Sequence, residues 1–191
     1  MTIRNTTQRW GAVAQLLHWL IVAFIITQFT LATMFDDLPS GPRKLALLAR
    51  HKSVGITILM LAAVRLAWRW ANREKPPLPD TLKPYERRLA RLTHGLLYLL
   101  LFAVPLAGWT MSSARGFPVS WFGLFTLPDL VPENKALYET LVTTHGVLAW
   151  TLGVVAIVHL LAALKHHFVL RDDVLKRMLP FTATKAQGSD R

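Results

Sequence analysis

The chain has 191 residues, 52% of them hydrophobic and only 17% charged, with a formal net charge of +11 and no cysteine. That balance is too apolar for an ordinary soluble domain, and the missing thiols exclude disulfides, thiolate metal sites and covalent haem attached through C-x-x-C-H. The positive charge does not indicate nucleic-acid binding, because it collects in alternate connections between apolar runs.

Four runs are long enough to cross a bilayer: residues 11–35, 53–70, 92–111 and 141–164. They predict an all-α membrane protein, a four-helix transmembrane bundle over residues 1–180, with 181–191 as a short cytoplasmic tail. With the N-terminus inside, cytoplasmic segments hold 16 Lys and Arg residues and outer segments hold 6. The positive-inside bias therefore predicts an N-in, C-in topology. The first run is too long for a signal-peptide core and lacks a small-residue cleavage motif, so it is read as a helix.

Residues 1–9 are polar and are expected to be frayed or interfacial, with Trp10 and Trp19 at the inner interface. The first helix carries His18 near its inner end. Leu38-Pro-Ser-Gly-Pro42 is turn chemistry. Residues 43–52 predict a short basic interfacial helix leading into helix two. His51 stands at the outer entrance of that helix, and Arg65 follows near its inner end. Pro76-Pro-Leu-Pro79 predicts a stiff loop. His94 opens helix three at the inner side, while Pro105 and Gly108 suggest a kink in its outer half. The connection 112–139 contains Trp121-Phe122-Gly-Leu-Phe125 and is expected to lie in the interface. Helix four carries His145 and His159, and Lys165-His166-His167 follows it.

His145 and His159 are 14 residues apart, about 21 Å of rise and some 40° short of four full turns. Both imidazoles therefore point to nearly the same side, where lipid is a poor neighbour and a bundle interior a good one. His51 and His145 share the outer level. His18 and His159 share the inner level, with His94 nearby. Two levels, each with imidazoles from two helices, meet the needs of two bis-imidazole haems. Gly55, Gly146 and Gly153 leave room for a macrocycle near the backbone. Arg65 could pair with a propionate of the inner haem, and Lys52 or Arg50 with one of the outer haem. Zinc fits poorly, since a pair of histidines without carboxylates or thiolates is an incomplete site. A proton pathway normally places an acid inside the membrane, and the interiors of the four runs hold none. His94 could replace His18 or His159 as an inner ligand, or could bond a propionate or a quinone. Lys165, His166 and His167 read as an inner anchor or as a quinone or propionate contact.

The chain resembles the bacterial cytochrome b561 family of four-helix di-haem membrane proteins. The resemblance is carried by Gln8-Arg-Trp-Gly, Leu17-His18-Trp19, His51-Lys-Ser-Val-Gly55 and Arg65-Leu-Ala-Trp-Arg69. It continues through His94-Gly-Leu-Leu-Tyr98, Pro105-Leu-Ala-Gly-Trp109, His145-Gly and His159-Leu-Leu-Ala-Ala-Leu-Lys-His-His-Phe168. It implies two non-covalent b haems with His18, His51, His145 and His159 as axial ligands. It also implies electron transfer, either from periplasmic superoxide to ubiquinone or, as a membrane-anchor subunit, between a partner dehydrogenase and the quinone pool. A monomer or homodimer suits either role.

Overall fold

The computed structural model describes residues 2–79 and 82–180. Expectations for the tail 181–191 fall outside these residues. Four long helices are present: α1 (Ala12–Asp36), α2 (Pro42–Ala71), α3 (Pro84–Ala114) and α4 (Lys135–Lys165). A π-helical turn, His166–Leu170, continues α4. All four are long and apolar enough to cross a membrane. Between α3 and α4 lies a two-stranded antiparallel hairpin, β1 (Val119–Trp121) and β2 (Phe125–Leu127), with Ser120 opposite Thr126.

The helix starts follow local chemistry. Pro42 and Pro84 occupy first turns, where a missing N–H costs nothing. The Glu86 carboxylate accepts from the Lys83 N–H at 3.0 Å, and the Asn134 side chain accepts from the Leu137 N–H at 2.9 Å. Hydroxyls inside the spans bond back to their own helix: Thr27 to the Ala23 carbonyl, Thr57 to Ser53 and Thr151 to Val147. Each such bond satisfies a polar group where lipid offers no partner.

Helix two begins at Pro42, so the basic stretch 43–52 is its first three turns and not a separate interfacial helix. Helix three runs unbroken through Pro105 and Gly108. Residues 2–11 are not frayed. The Thr2 carbonyl accepts from the Ala12 N–H, Asn5 bonds the Glu74 carbonyl and the Gly11 N–H, and Arg9 donates to the Leu179 carbonyl. The segment after the π turn folds beneath α1. There Trp19 donates its indole N–H to the Met178 carbonyl at 3.0 Å, and Gln15 bonds the Arg177 carbonyl.

The core lies between α1, α2 and α3: Ile21, Val54, Ile58, Ala62 and Leu101, flanked by Phe24, Ile25, Leu61 and Phe102. Helix α1 packs on α2, α2 on α3, and α3 on α4. Among the described residues no Cα of α4 comes within 8 Å of α1 or α2. The two helical hairpins therefore stand apart along one side of the bundle. Only Leu152 of α4 is fully buried, although this helix is the most hydrophobic of the four spans. A helix apolar on all sides and so little covered by protein needs lipid on one face and an apolar filling on the other.

Candidate cofactor sites

The cleft between the hairpins holds the histidines. At the end carrying the β-hairpin, His51 of α2 faces His145 of α4, with ring centroids 6.3 Å apart. At the end carrying the termini, His18 of α1 faces His159 of α4, also at 6.3 Å. Two imidazoles bound through one nitrogen each to a central metal at about 2.0 Å place their centroids about 6.3 Å apart. Both pairs have this separation, and each spans helices whose backbones do not touch. His94 lies 5.1 Å from His159, too close for the same arrangement. Its ring stands beside His159 and not across the cleft from it. Among the described residues no three His, Cys, Asp or Glu side chains gather as a conventional metal cluster.

The second shell of His145 is well defined. Its Nδ1 lies 3.0 Å from the Val104 carbonyl. A carbonyl can only accept, so Nδ1 carries the proton and Nε2 is left free for a metal. Gly108, one turn beyond Val104, makes the approach possible: a β-carbon there would stand 3.0 Å from His145 Cε1. The Pro105–Gly108 stretch, expected to kink the helix, thus seats an imidazole. Neither Val104 nor this role of Gly108 was visible in the sequence.

His51 packs edge-on against Phe35 at 5.3 Å, and its Nδ1 is buried with no hydrogen-bond partner. Lys52 points away from the histidines. Its Nζ bonds the Phe117 and Pro118 carbonyls, each at 3.4 Å, and lies over the Phe117 ring. Ser53 receives the Phe122 N–H at 3.0 Å, and Trp121 donates to the Thr57 hydroxyl at 3.1 Å. These bonds dock the β-hairpin on α2 beside the His51 level. Arg50 is exposed.

At the other level Arg65 donates to the Ala14 carbonyl at 2.8 Å, one turn before His18. Among the described residues no carboxylate pairs with it. The Arg69 guanidinium lies 5.6 Å from the Tyr98 ring centre. Lys165 pairs with Glu86 at 3.6 Å, and His166 Nδ1 bonds Asp172 at 2.5 Å. Both residues are thus held at the edge of this level by protein partners.

Between the levels Phe29 and Trp150 meet edge to face at 5.9 Å. The Phe29 ring fills the place of a side chain at Gly153, and the Gln28 amide approaches Gly55. Those two glycines therefore receive side chains of α1 and are not open to a macrocycle. Gly146 has nothing within 4 Å and remains open.

Paired imidazoles, a half-buried Arg65 with no carboxylate partner among the described residues and an uncovered apolar cleft fit b-type haem and its propionates. The comparisons agree. Residues 9–181 match the model of the prokaryotic cytochrome b561 family. The chain is 37% identical over 185 residues to cytochrome b561 homolog 2 of Escherichia coli, covering 94% of this chain and 95% of that protein. It is 32% identical over 164 residues to the probable superoxide oxidase CybB of Yersinia pestis, covering 86% and 92%. With four membrane-crossing helices and this cleft, the chain belongs to the prokaryotic cytochrome b561 family, multi-pass membrane proteins that bind b-type haem and transfer electrons across the membrane.

Proposed function

We propose that the protein holds two b haems and oxidises superoxide on the periplasmic side of the inner membrane while reducing ubiquinone. His51 with His145 would hold one haem, and His18 with His159 the other. The observation that carries this reading is the pair of 6.3 Å imidazole separations across a cleft with no backbone contact. Haem held in this way supplies one-electron carriers at two depths of the membrane. The overall reaction balances as two superoxide anions losing one electron each to give two O2, and one ubiquinone gaining two electrons and two protons.

The chain's own residues set the conditions. Val104 fixes the tautomer and orientation of His145. Arg65 offers positive charge beside the His18 level, suited to a propionate. Lys52 ties the β-hairpin end to α2 and stands next to His51, where an outer propionate could reach it. Lys165, His166 and His94 border the terminal-end level, the side assigned to ubiquinone by an N-in, C-in topology. Support for superoxide comes from the similarity to the probable superoxide oxidase of Yersinia pestis.

The test uses purified full-length protein in detergent with superoxide and a soluble ubiquinone. Haem content of two per chain, haem reduction by superoxide and ubiquinol formation support the reading. Haem reduction without ubiquinol, or no reduction by superoxide, overturns it in favour of an anchor cytochrome fed by a partner protein.

A further inference from the structure

The two histidines of the β-hairpin-end pair differ in what their Nδ1 atoms touch. His145 Nδ1–H has the Val104 carbonyl. His51 Nδ1 is buried, and the main-chain carbonyl of Gln28 lies near it without making a well-formed hydrogen bond. A buried imidazole N–H without an acceptor is costly, and metal-bound histidines almost always give that proton to one. Among the described residues, the buried side-chain atom of α1 without a partner is an acceptor, Gln28 Oε1.

Gln28 is placed to meet His51. It lies in the seam of α1 against α2, seven residues before Phe35, whose ring packs on His51. Its amide nitrogen is 3.2 Å from where a β-carbon of Gly55 would stand, one turn along α2 from His51. Any side chain at position 55 would push the amide away. The main-chain carbonyl of Gln28 is the rival acceptor for the same proton, and it places residue 28 beside the His51 ring. A glutamine inside an apolar seam, with its oxygen unspent, needs a donor.

We infer that Gln28 is a positioning residue for the haem site: its side-chain oxygen accepts the Nδ1 proton of His51, leaving Nε2 to face the metal. The bond completes for His51 what Val104 does for His145. An acceptor on Nδ1 makes the imidazole a stronger donor to ferric iron and so lowers the potential of that haem. The inference rests on His51 being a ligand, and His51→Ala tests that separately by loss of one haem.

The experiment is a spectroelectrochemical titration of Gln28→Met and Gln28→Glu, with haem content and low-temperature EPR of both ferric haems. Methionine keeps the volume and removes the acceptor; glutamate keeps an acceptor whether or not it is ionised. Gln28→Met should raise the potential of the His51 haem by about 59 mV, a ten-fold change for one electron. Gln28→Glu should leave it at or below the native value, and the other haem should not move in either variant. An unchanged potential in Gln28→Met overturns the inference and leaves the Gln28 main-chain carbonyl as the partner. A rise in both variants also overturns it, since it reports repacking alone. Should Gln28→Met fail to hold two haems, Gln28→Glu decides by itself: a potential at or below native sustains the bond, and one above native refutes it.

Discussion

Gly108→Ala tests whether α3 seats His145. The added β-carbon would stand 3.0 Å from His145 Cε1 and 3.1 Å from Nδ1. Carbon contacts settle at about 3.5 Å or more, so the ring must retreat by about 0.5 Å. Its Nδ1–H···O bond to Val104 is 3.0 Å long and comes from the same helix. Retreat carries it to about 3.5 Å, beyond useful hydrogen bonding. The loss is about 1 kcal/mol if water replaces the carbonyl, and up to about 3 kcal/mol if the N–H stays buried and unpaired. At about 1.4 kcal/mol per factor of ten, the haem of the His51 and His145 level should be held about 5-fold to 100-fold more weakly. The assay is transfer of haem to a scavenger protein, followed in the visible spectrum, with EPR to distinguish the two ferric centres. Selective weakening of one centre is expected. Retention of both centres at native strength, or equal weakening of both, would refute the seating role of Gly108.

Three further outcomes follow from the same geometry. His94→Ala should retain two low-spin haems, because His94 is 5.1 Å from His159 and not across the cleft from it; a high-spin signal would make His94 a ligand. Ser53→Ala should strip the Phe122 N–H of its acceptor and loosen the β-hairpin by about 1–3 kcal/mol. Hydrogen exchange should then quicken at residues 119–127, and unchanged protection there counts against the docking role. Trp19→Phe should remove the bond to the Met178 carbonyl, worth about 1 kcal/mol, and speed proteolysis within residues 171–180; an unaltered cleavage rate would show that the segment is held by other contacts.

The four helices and the sorting of histidines by depth were legible in the sequence, because hydropathy marks spans and the helical period marks faces. Helix boundaries were less so. Residues 43–52 are too basic to count as span, yet nothing in them breaks a helix, and α2 starts back at Pro42. Hydropathy measures the membrane and not the helix. The partner of His145 was illegible for a different reason: a main-chain carbonyl has no side-chain signature. Gly55 and Gly153 were read as open space, but their occupants are Gln28 and Phe29, residues of another helix. Finding them requires the register of α1 on its neighbours. The polar N-terminal segment reads as frayed or interfacial. Its stabilising bond from Arg9 reaches a carbonyl 170 residues away, a pairing that no local pattern carries.

The architecture explains why two sites exist and not one long cleft. The core of α1, α2 and α3 closes one side of the bundle and leaves α4 tethered through α3. Across the remaining gap, side chains of α1 reach α4 at two kinds of place. At one they are imidazoles, His18 toward His159; at the other they are apolar rings, Phe29 toward Trp150 and Gly153. The Phe29 and Trp150 rings thus stand between an upper and a lower histidine level. Arg65 sharpens the distinction. A half-buried guanidinium at the lower level, held by the Ala14 carbonyl and the Tyr98 side chain with no carboxylate partner among the described residues, is expensive to desolvate. It is tolerable if the occupant of that level carries negative charge, as a haem propionate does. At the upper level the cation next to the histidines, Lys52, is shared with the β-hairpin carbonyls. If two haems occupy these levels as proposed, the positive charge of Arg65 would favour the reduced state of the lower one and give electrons a downhill direction from the β-hairpin end to the end where the termini meet.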